Sequence, residues 1–293
     1  IMKLYAKMCK AKFIDYYIIG DAKSPKNFKL KNSNYFNIKD QEKLEFSYAK
    51  KCLKNAYVRK NIGYLIAIRN KADVIIESDD DNLPLKNFFN DISIYKKCIL
   101  LKNKKWINIF NYFLKDKKKI IWPRGFPLDE IKAKNNFKGK IEKVYSPIQQ
   151  HLSNKDPDVD AIYRLTHKET NINFLKKTAL GIYHNTYSTF NSQNTRWFKC
   201  VFPLLYLPTC CTFRSCDIWR GLIALRVLHA NNMPLTYSSA TNLQQRNYHN
   251  IFNDFKDEIP FYLKNKKIIN YIYSIKLPKG EKNIIPAMKM IYA

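Results

Sequence analysis

The sequence predicts an α/β fold, with a mostly parallel sheet flanked by helices and a less regular α+β arrangement in the C-terminal half. Two observations carry this prediction. In the first 80 residues, apolar stretches of strand length alternate with a segment of helical period, and strand, helix, strand in that order builds parallel pairs with helices on their faces. The second observation is where the strands end. Residues 13–19 stop at Gly20-Asp21 and residues 72–78 run into Asp79-Asp80-Asp81, so polar groups gather beyond the carboxyl ends, where such sheets bind ligands.

Taken in order, residues 2–12 read as a helix and 13–19 as an apolar strand, followed by a loop at Ser24-Pro25 and a short strand at 35–38. Ile62, Leu65, Ile66 and Arg69 stand at helical spacing within 57–70, and 72–78 is the next strand. After the acidic turn, 85–89 reads as a short helix that Asp80 or Asp81 is placed to cap. Farther on, 159–165 alternates as a strand with Asp160 and Arg164 on one side; 218–229 is an apolar-periodic helix with Asp217 at its start, and 235–239 is a strand. Internal repeats and Gly/Ser-rich linkers are absent, which predicts one domain over 1–293. The chain opens with Ile1 on a helical pattern and no strand before it, so a preceding piece, including a first strand, is expected to be missing.

The chain carries 52 Lys+Arg against 24 Asp+Glu, a net charge of +28. A nucleic-acid face would gather such charge in a stripe. Here the excess is mostly Lys, scattered among Asn and Ile along the whole length, so a solvated surface is expected and no nucleic-acid partner. Seven cysteines form no C-x-x-C pair and leave one over, which argues against both a zinc site and a complete disulfide framework. The longest apolar run, 201–211, holds two prolines and is too short to span a bilayer, so no transmembrane segment is expected in this fragment.

The sharpest chemical signal is the run Glu77-Ser78-Asp79-Asp80-Asp81. Asp79 and Asp81 are two apart, so on extended backbone their carboxylates point the same way and repel unless a cation lies between them. Mg²⁺ or Mn²⁺ takes one or two carboxylates and fills its other positions with phosphate oxygens and water. Just upstream, Arg59-Lys60-Asn61-Ile62-Gly63 opens the helix that leads into the acidic strand, bringing basic groups and free amides to the same edge.

Arg-x-Asn-x-Gly followed by Asp-x-Asp resembles the GT-A glycosyltransferases, and the resemblance narrows to the STELLO family. It is carried by IGDAKSP (19–25), RKNIGYLIAI (59–68), ESDDDNLP (77–84), WPRGFPLDEI (122–131), VDAIYRLT (159–166), FNSQNT (190–195), FRSCDIWRGLIALRVL (213–228) and QQRNYHNIFNDF (244–255). The resemblance implies a Rossmann-type GT-A-like fold with a nucleotide-sugar-binding half at 1–135 and an acceptor or catalytic half at 136–293. It also implies a nucleoside diphosphate sugar donor and a divalent cation. The acceptor is a carbohydrate, lipid or protein that the sequence does not name. Plant members of the family are Golgi membrane proteins; the sequence itself names no compartment, Golgi lumenal if this chain follows them and cytoplasmic being the alternatives.

On this reading Asp79, Asp81 and His249 are candidate metal ligands. Asp21, Arg59, Lys60, Asn61, Gly63, Asp80 and Arg246 are candidates for the donor and its diphosphate, and Trp122, Arg124, Asn191, Gln193, Arg214 and Arg220 for the acceptor or sugar. Asp217, a carboxylate separate from the acidic pair, is the candidate general base that an inverting transfer needs. Plainer alternatives stand beside some of these: a helix cap for Asp217, a packed aromatic turn for Trp122 and a structural role for His249; Asp160 and Arg164 read as an ion pair or as acceptor contacts. The rival functions are a nucleotide-sugar mutase on the same fold, a non-catalytic scaffold and a nucleic-acid-binding protein.

Overall fold

The computed structural model describes residues 1–102, 105–168 and 171–293. Its first third contains α1 (Met2–Ala11), β1 (Tyr17–Ile19), β2 (Asn34–Phe36), α2 (Ile38–Glu42), α3 (Ser47–Lys51), α4 (Lys60–Arg69), β3 (Val74–Ser78), β4 (Asn82–Pro84) and β5 (Tyr95–Leu101). Then come α5 (Phe110–Phe113), β6 (Lys140–Tyr145), β7 (Ile148–Lys155), α6 (Ala161–Thr166), β8 (Ala179–Ile182) and β9 (Asn194–Phe198). The chain finishes with α7 (Cys216–Ala230), β10 (Leu235–Gln244), α8 (Ile251–Ser274) and α9 (Ile284–Tyr292).

The fold is α/β, as expected, but the sheet is mixed rather than mostly parallel. Its strands run in the order β3-β9-β7-β10-β8-β5-β6, with β4 added on β10. Within this sheet, among the described residues, β10 with β7 and β5 with β8 are parallel; β3 with β9, β7 with β9, β10 with β8, β10 with β4 and β5 with β6 are antiparallel. The strand-helix-strand order in the first 80 residues is real, yet β1 pairs in parallel with β2 in a small sheet of its own, and β3 pairs with β9. Local alternation gave the element types; for β3 and β4, pairing partners more than 100 residues away set the directions. The same sheet draws strands from both sides of residue 135, and the C-terminal part is as regular as the rest, with the two longest helices, α7 and α8.

Two elements differ in type. Residues 159–165, whose alternation reads as a strand, enter α6, because the Asp160 side chain accepts the Tyr163 amide as an N-cap and starts a helix. Residues 85–89 form turns instead of a helix. The expected caps are used elsewhere: Asp80 meets Asn247, and Asp81 accepts from Asn82 and Gln244.

The main core lies between the sheet and α7, where Leu222, Leu225 and Leu228 pack with Trp197, Leu235 and Tyr237. Helix α4 packs on β1 through Gly63, where an added Cβ would meet Ile19 Cγ1 at 2.9 Å. A buried ion pair ties β3 to α7: Glu77 accepts from both Arg220 terminal nitrogens (2.9 and 3.1 Å) and from Trp197 Nε1 (2.8 Å). Among the described residues no helix is long and apolar enough to cross a membrane.

Candidate functional site

The topology explains why distant segments meet at the acidic turn. Because β9 runs antiparallel to β3, the loop entering β9 lies beside the end of β3, and this puts Ser192 next to Asp79. Because β10 is antiparallel to β4, the residues leaving β10 lie beside Asp81, and the Gln245 amide donates to the Asp81 carbonyl at 2.8 Å. The result is a cleft of about 790 Å³ whose lining includes Lys60, Asp79, Asp80, Asp81, Asp217 and Arg246. That volume lies within the usual range for small-molecule sites.

Within the triad, each carboxylate has a different setting. Asp79 is half-buried; its Oδ1 accepts from Tyr57 Oη at 2.9 Å and pairs with the Lys60 ammonium. Lys60 Nζ also donates to Tyr57 Oη (2.9 Å) and to the Ser192 carbonyl (3.2 Å), and it lies 4.7 Å from the Tyr57 ring centre. Asp80 is exposed, with Asn247 Nδ2 at 3.4 Å. Asp81 is buried; Asn82 Nδ2 donates to its Oδ1 (3.1 Å) and Gln244 Nε2 to its Oδ2 (3.2 Å). Burial raises the pKa of Asp79, and the neighbouring Lys60 only partly offsets it. Burial and then the charge of Asp79 raise that of Asp81.

These two carboxylates suit a hard divalent cation that takes two protein ligands, since such an ion would relieve the repulsion that raises Asp81. They do not form a complete cage. Among the described residues no group of three or more His, Cys, Asp or Glu is assembled to hold a metal. His249 also lines the cleft, but its Nδ1 faces Asp254 Oδ1 at 3.3 Å.

Behind the triad lies a chain of buried charges. Arg124 donates through Nε to both oxygens of Asp158 (2.9 and 3.0 Å) and through its terminal nitrogens to both oxygens of Asp217 (3.0 and 2.8 Å). Arg214 pairs with Glu258 (2.8 Å), and Arg246 with Asp254 (2.6 Å). Glu258 and Asp254 are four apart on α8, so they share one helix face. Burial alone would raise the Asp217 pKa, but Arg124 overrides it and holds the carboxyl below the ordinary value. Asp158 is depressed in the same way, against burial, by Arg124 and Arg214. For Arg246, burial first and then the charges of Arg164 and Arg214 lower the pKa to about 10, which leaves it cationic at neutral pH.

The remaining candidates divide by position. Gln193, Arg124 and Arg214 line the cleft, and Gln193 Nε2 donates to Gln244 Oε1. Asn191 lies one layer back, bridging Gln150 and Asp158. Arg59 is 4% exposed and points into the protein, donating to Gln41 Oε1 and to the Cys52 and Leu53 carbonyls. Asp21 accepts the Asn55 and Ala56 amides and so anchors the approach to α4; Asn61 clasps Leu207 through its amide and carbonyl. Trp122 is 2% exposed, set edge-on to Tyr163 at 5.2 Å and donating to Asp160 Oδ2 at 2.6 Å, so its ring faces are covered by protein. Arg220 is taken up by Glu77. Asp217 does not cap α7; Ser215 stands at the cap position, and Asp217 turns its carboxylate to Arg124.

Sequence reasoning gave no role to Tyr57, Gln244, Asp254 or Glu258, and took Ser192 only as part of the run 190–195. The four-residue spacing of Asp254 and Glu258 was a usable signal for a shared helix face. Ser192 and Gln244 reach the acidic turn through antiparallel pairing across more than 100 residues, and Tyr57 reaches it from the turn before α4.

Comparison with known proteins supplies the context. A family model described as STELLO glycosyltransferases matches residues 214–291, which run from the Arg214 turn through α7, β10 and α8 into α9. The probable glycosyltransferase STELLO1 of Arabidopsis thaliana is 27% identical over 230 residues, covering 72% of this chain and 29% of the relative. The chain is STELLO-like. Probable glycosyltransferase STELLO2 of the same plant gives the same identity over 230 residues and 30% of its length. This STELLO-like chain thus spans less than a third of the relatives it matches. The part matched by the family model includes Asp217, Arg246, His249, Asp254 and Glu258, so one wall of the cleft belongs to it.

Proposed function

We propose that this chain is the donor-binding core of a GT-A-like glycosyltransferase, which moves a sugar from a nucleoside diphosphate to an acceptor hydroxyl with the help of Mn²⁺ or Mg²⁺. The observation that carries the reading is the cleft itself, where an acidic triad, Lys60 and Arg246 converge in a chain similar to glycosyltransferases. In the transfer, the bond from the anomeric carbon to the diphosphate oxygen breaks. A bond from that carbon to the acceptor oxygen forms, and the acceptor proton leaves.

A cation held by Asp79 and Asp81 would supply charge stabilisation for the departing diphosphate. Arg246, held by Asp254, would add positive charge fixed in place before the reaction, and Lys60 a further positive charge beside the diphosphate. Asp217 keeps Arg124 and, through it, Asp158 in position, and its oxygens are already engaged. Its lowered pKa makes it a weak proton acceptor, so we assign it first to shaping the cleft. Gln193 and Gln244 present amide groups suited to sugar hydroxyls.

Titration calorimetry with a panel of nucleoside diphosphate sugars, with and without Mn²⁺, tests the reading. It requires Mn²⁺-dependent binding that Asp79→Ala and Asp81→Ala each abolish. Binding indifferent to metal and to both substitutions contradicts it, and oligonucleotide binding with steep salt dependence supports the nucleic-acid alternative instead.

A further inference from the structure

Four cationic side chains line the cleft among the described residues: Lys60, Arg124, Arg214 and Arg246. The three arginines are tied to carboxylates outside the acidic triad, namely Asp158 and Asp217, Glu258, and Asp254. Lys60 differs. Its carboxylate partner is Asp79, a candidate cation ligand, and it uses Oδ1 of that side chain.

We propose that Lys60 is an exchangeable counter-ion, which neutralises Asp79 before a divalent cation binds and transfers its ammonium to the diphosphate that arrives with the cation. The inference rests on the cation reading above and adds a coupling that the reading does not require. An ammonium and a divalent ion at one carboxylate oxygen repel each other, so the metal has to displace Lys60 to reach Oδ1. Lys60 is built to move. It is the first residue of α4, its flexible four-carbon stem is 21% exposed, and its remaining partners, Tyr57 and the Ser192 carbonyl, are neutral. A diphosphate offers the displaced ammonium a charged partner within the same cleft, which makes cation and diphosphate bind better together than apart.

Calorimetry on the whole 293-residue chain tests this with two probes, Mn²⁺ alone and inorganic pyrophosphate in saturating Mn²⁺. Lys60→Met is expected to bind Mn²⁺ alone about fivefold more tightly than the parent and pyrophosphate about fivefold more weakly, the scale of a partly exposed ion pair. Lys60→Arg, which keeps the charge, is expected to follow the parent in both titrations. The opposed directions exclude a merely structural role, which would weaken both. If the parent binds Mn²⁺ and Lys60→Met binds it no more tightly, the exchange is overturned and the cation reading stands. If the parent binds neither Mn²⁺ alone nor pyrophosphate in saturating Mn²⁺, both fall.

Discussion

Arg124 and Asp217 meet fork to fork, with Nη1 to Oδ1 at 3.0 Å and Nη2 to Oδ2 at 2.8 Å, both side chains buried at the back of the cleft. The pair joins the Trp-Pro-Arg-Gly turn to the first turn of α7. Asp217→Ala leaves a buried guanidinium with one of its two carboxylates, and such a loss costs about 3–5 kcal/mol. Urea unfolding of the variant checks this; a loss below about 1 kcal/mol, the scale of an exposed pair, would show that the pair is not held as described.

Arg59 separates structure from binding. Its guanidinium serves Gln41 and two carbonyls, so Arg59→Lys breaks a forked set of bonds and is expected to lower stability by about 1–3 kcal/mol. Nucleotide affinity measured well below the melting temperature should change by less than about twofold, since sites without shared partners are close to independent. A large loss of affinity with unchanged stability would return Arg59 to the phosphate site.

Gly125 sits at φ +78°, and a Cβ there would lie 2.5 Å from Ile218 Cγ2 on α7. Gly125→Ala therefore combines a disfavoured backbone angle with overpacking, and thermal melts should report a loss of about 1–3 kcal/mol. Gly280, also at positive φ, has open space around it, so Gly280→Ala should show the backbone penalty without the clash.

Asp160 predicts a pH dependence. Burial, with a contribution from Glu258, raises its pKa to about 7, against the downward pull of the Tyr163 amide and the Trp122 indole. The unfolded chain releases this proton near pH 4 while the folded chain keeps it to about pH 7, so the folded form binds more protons between those values and loses stability as pH rises. Asp160→Asn lacks this loss. The stability of the parent relative to the variant should fall between pH 4 and 7 and level off above, measured by denaturant titration across that range. A flat difference would show that Asp160 titrates normally.

What the sequence made legible was local. The elements around α4 and β3 and the start of α7 could be read from periodicity, and the acidic turn from the rarity of acids in a basic chain. Sheet direction was not legible, because β3 pairs with a strand more than 100 residues later and nothing in residues 74–78 marks that partner as antiparallel. Helix α6 was hidden because an alternating apolar pattern over residues 159–165 fits a strand as well as a helix turn, and the Asp160 cap decided it. At the site, residue type pointed to charge but not to its use. Arg59 and Lys60 are adjacent, yet one faces inward to Gln41 and the other reaches Asp79, and only the start of the helix at Lys60 separates them.

On the function proposed above, Asp79 and Asp81 grip a divalent ion that bridges to a diphosphate. Crystals grown with Mn²⁺ and a nucleoside diphosphate test it most directly, through anomalous difference density at the manganese edge. The account predicts a peak within coordinating distance of both carboxylates, about 2.0–2.6 Å as for hard cations on oxygen, and in contact with diphosphate oxygens. A nucleotide seated in the cleft with no peak at Asp79 and Asp81, or a peak elsewhere on the surface, would contradict it.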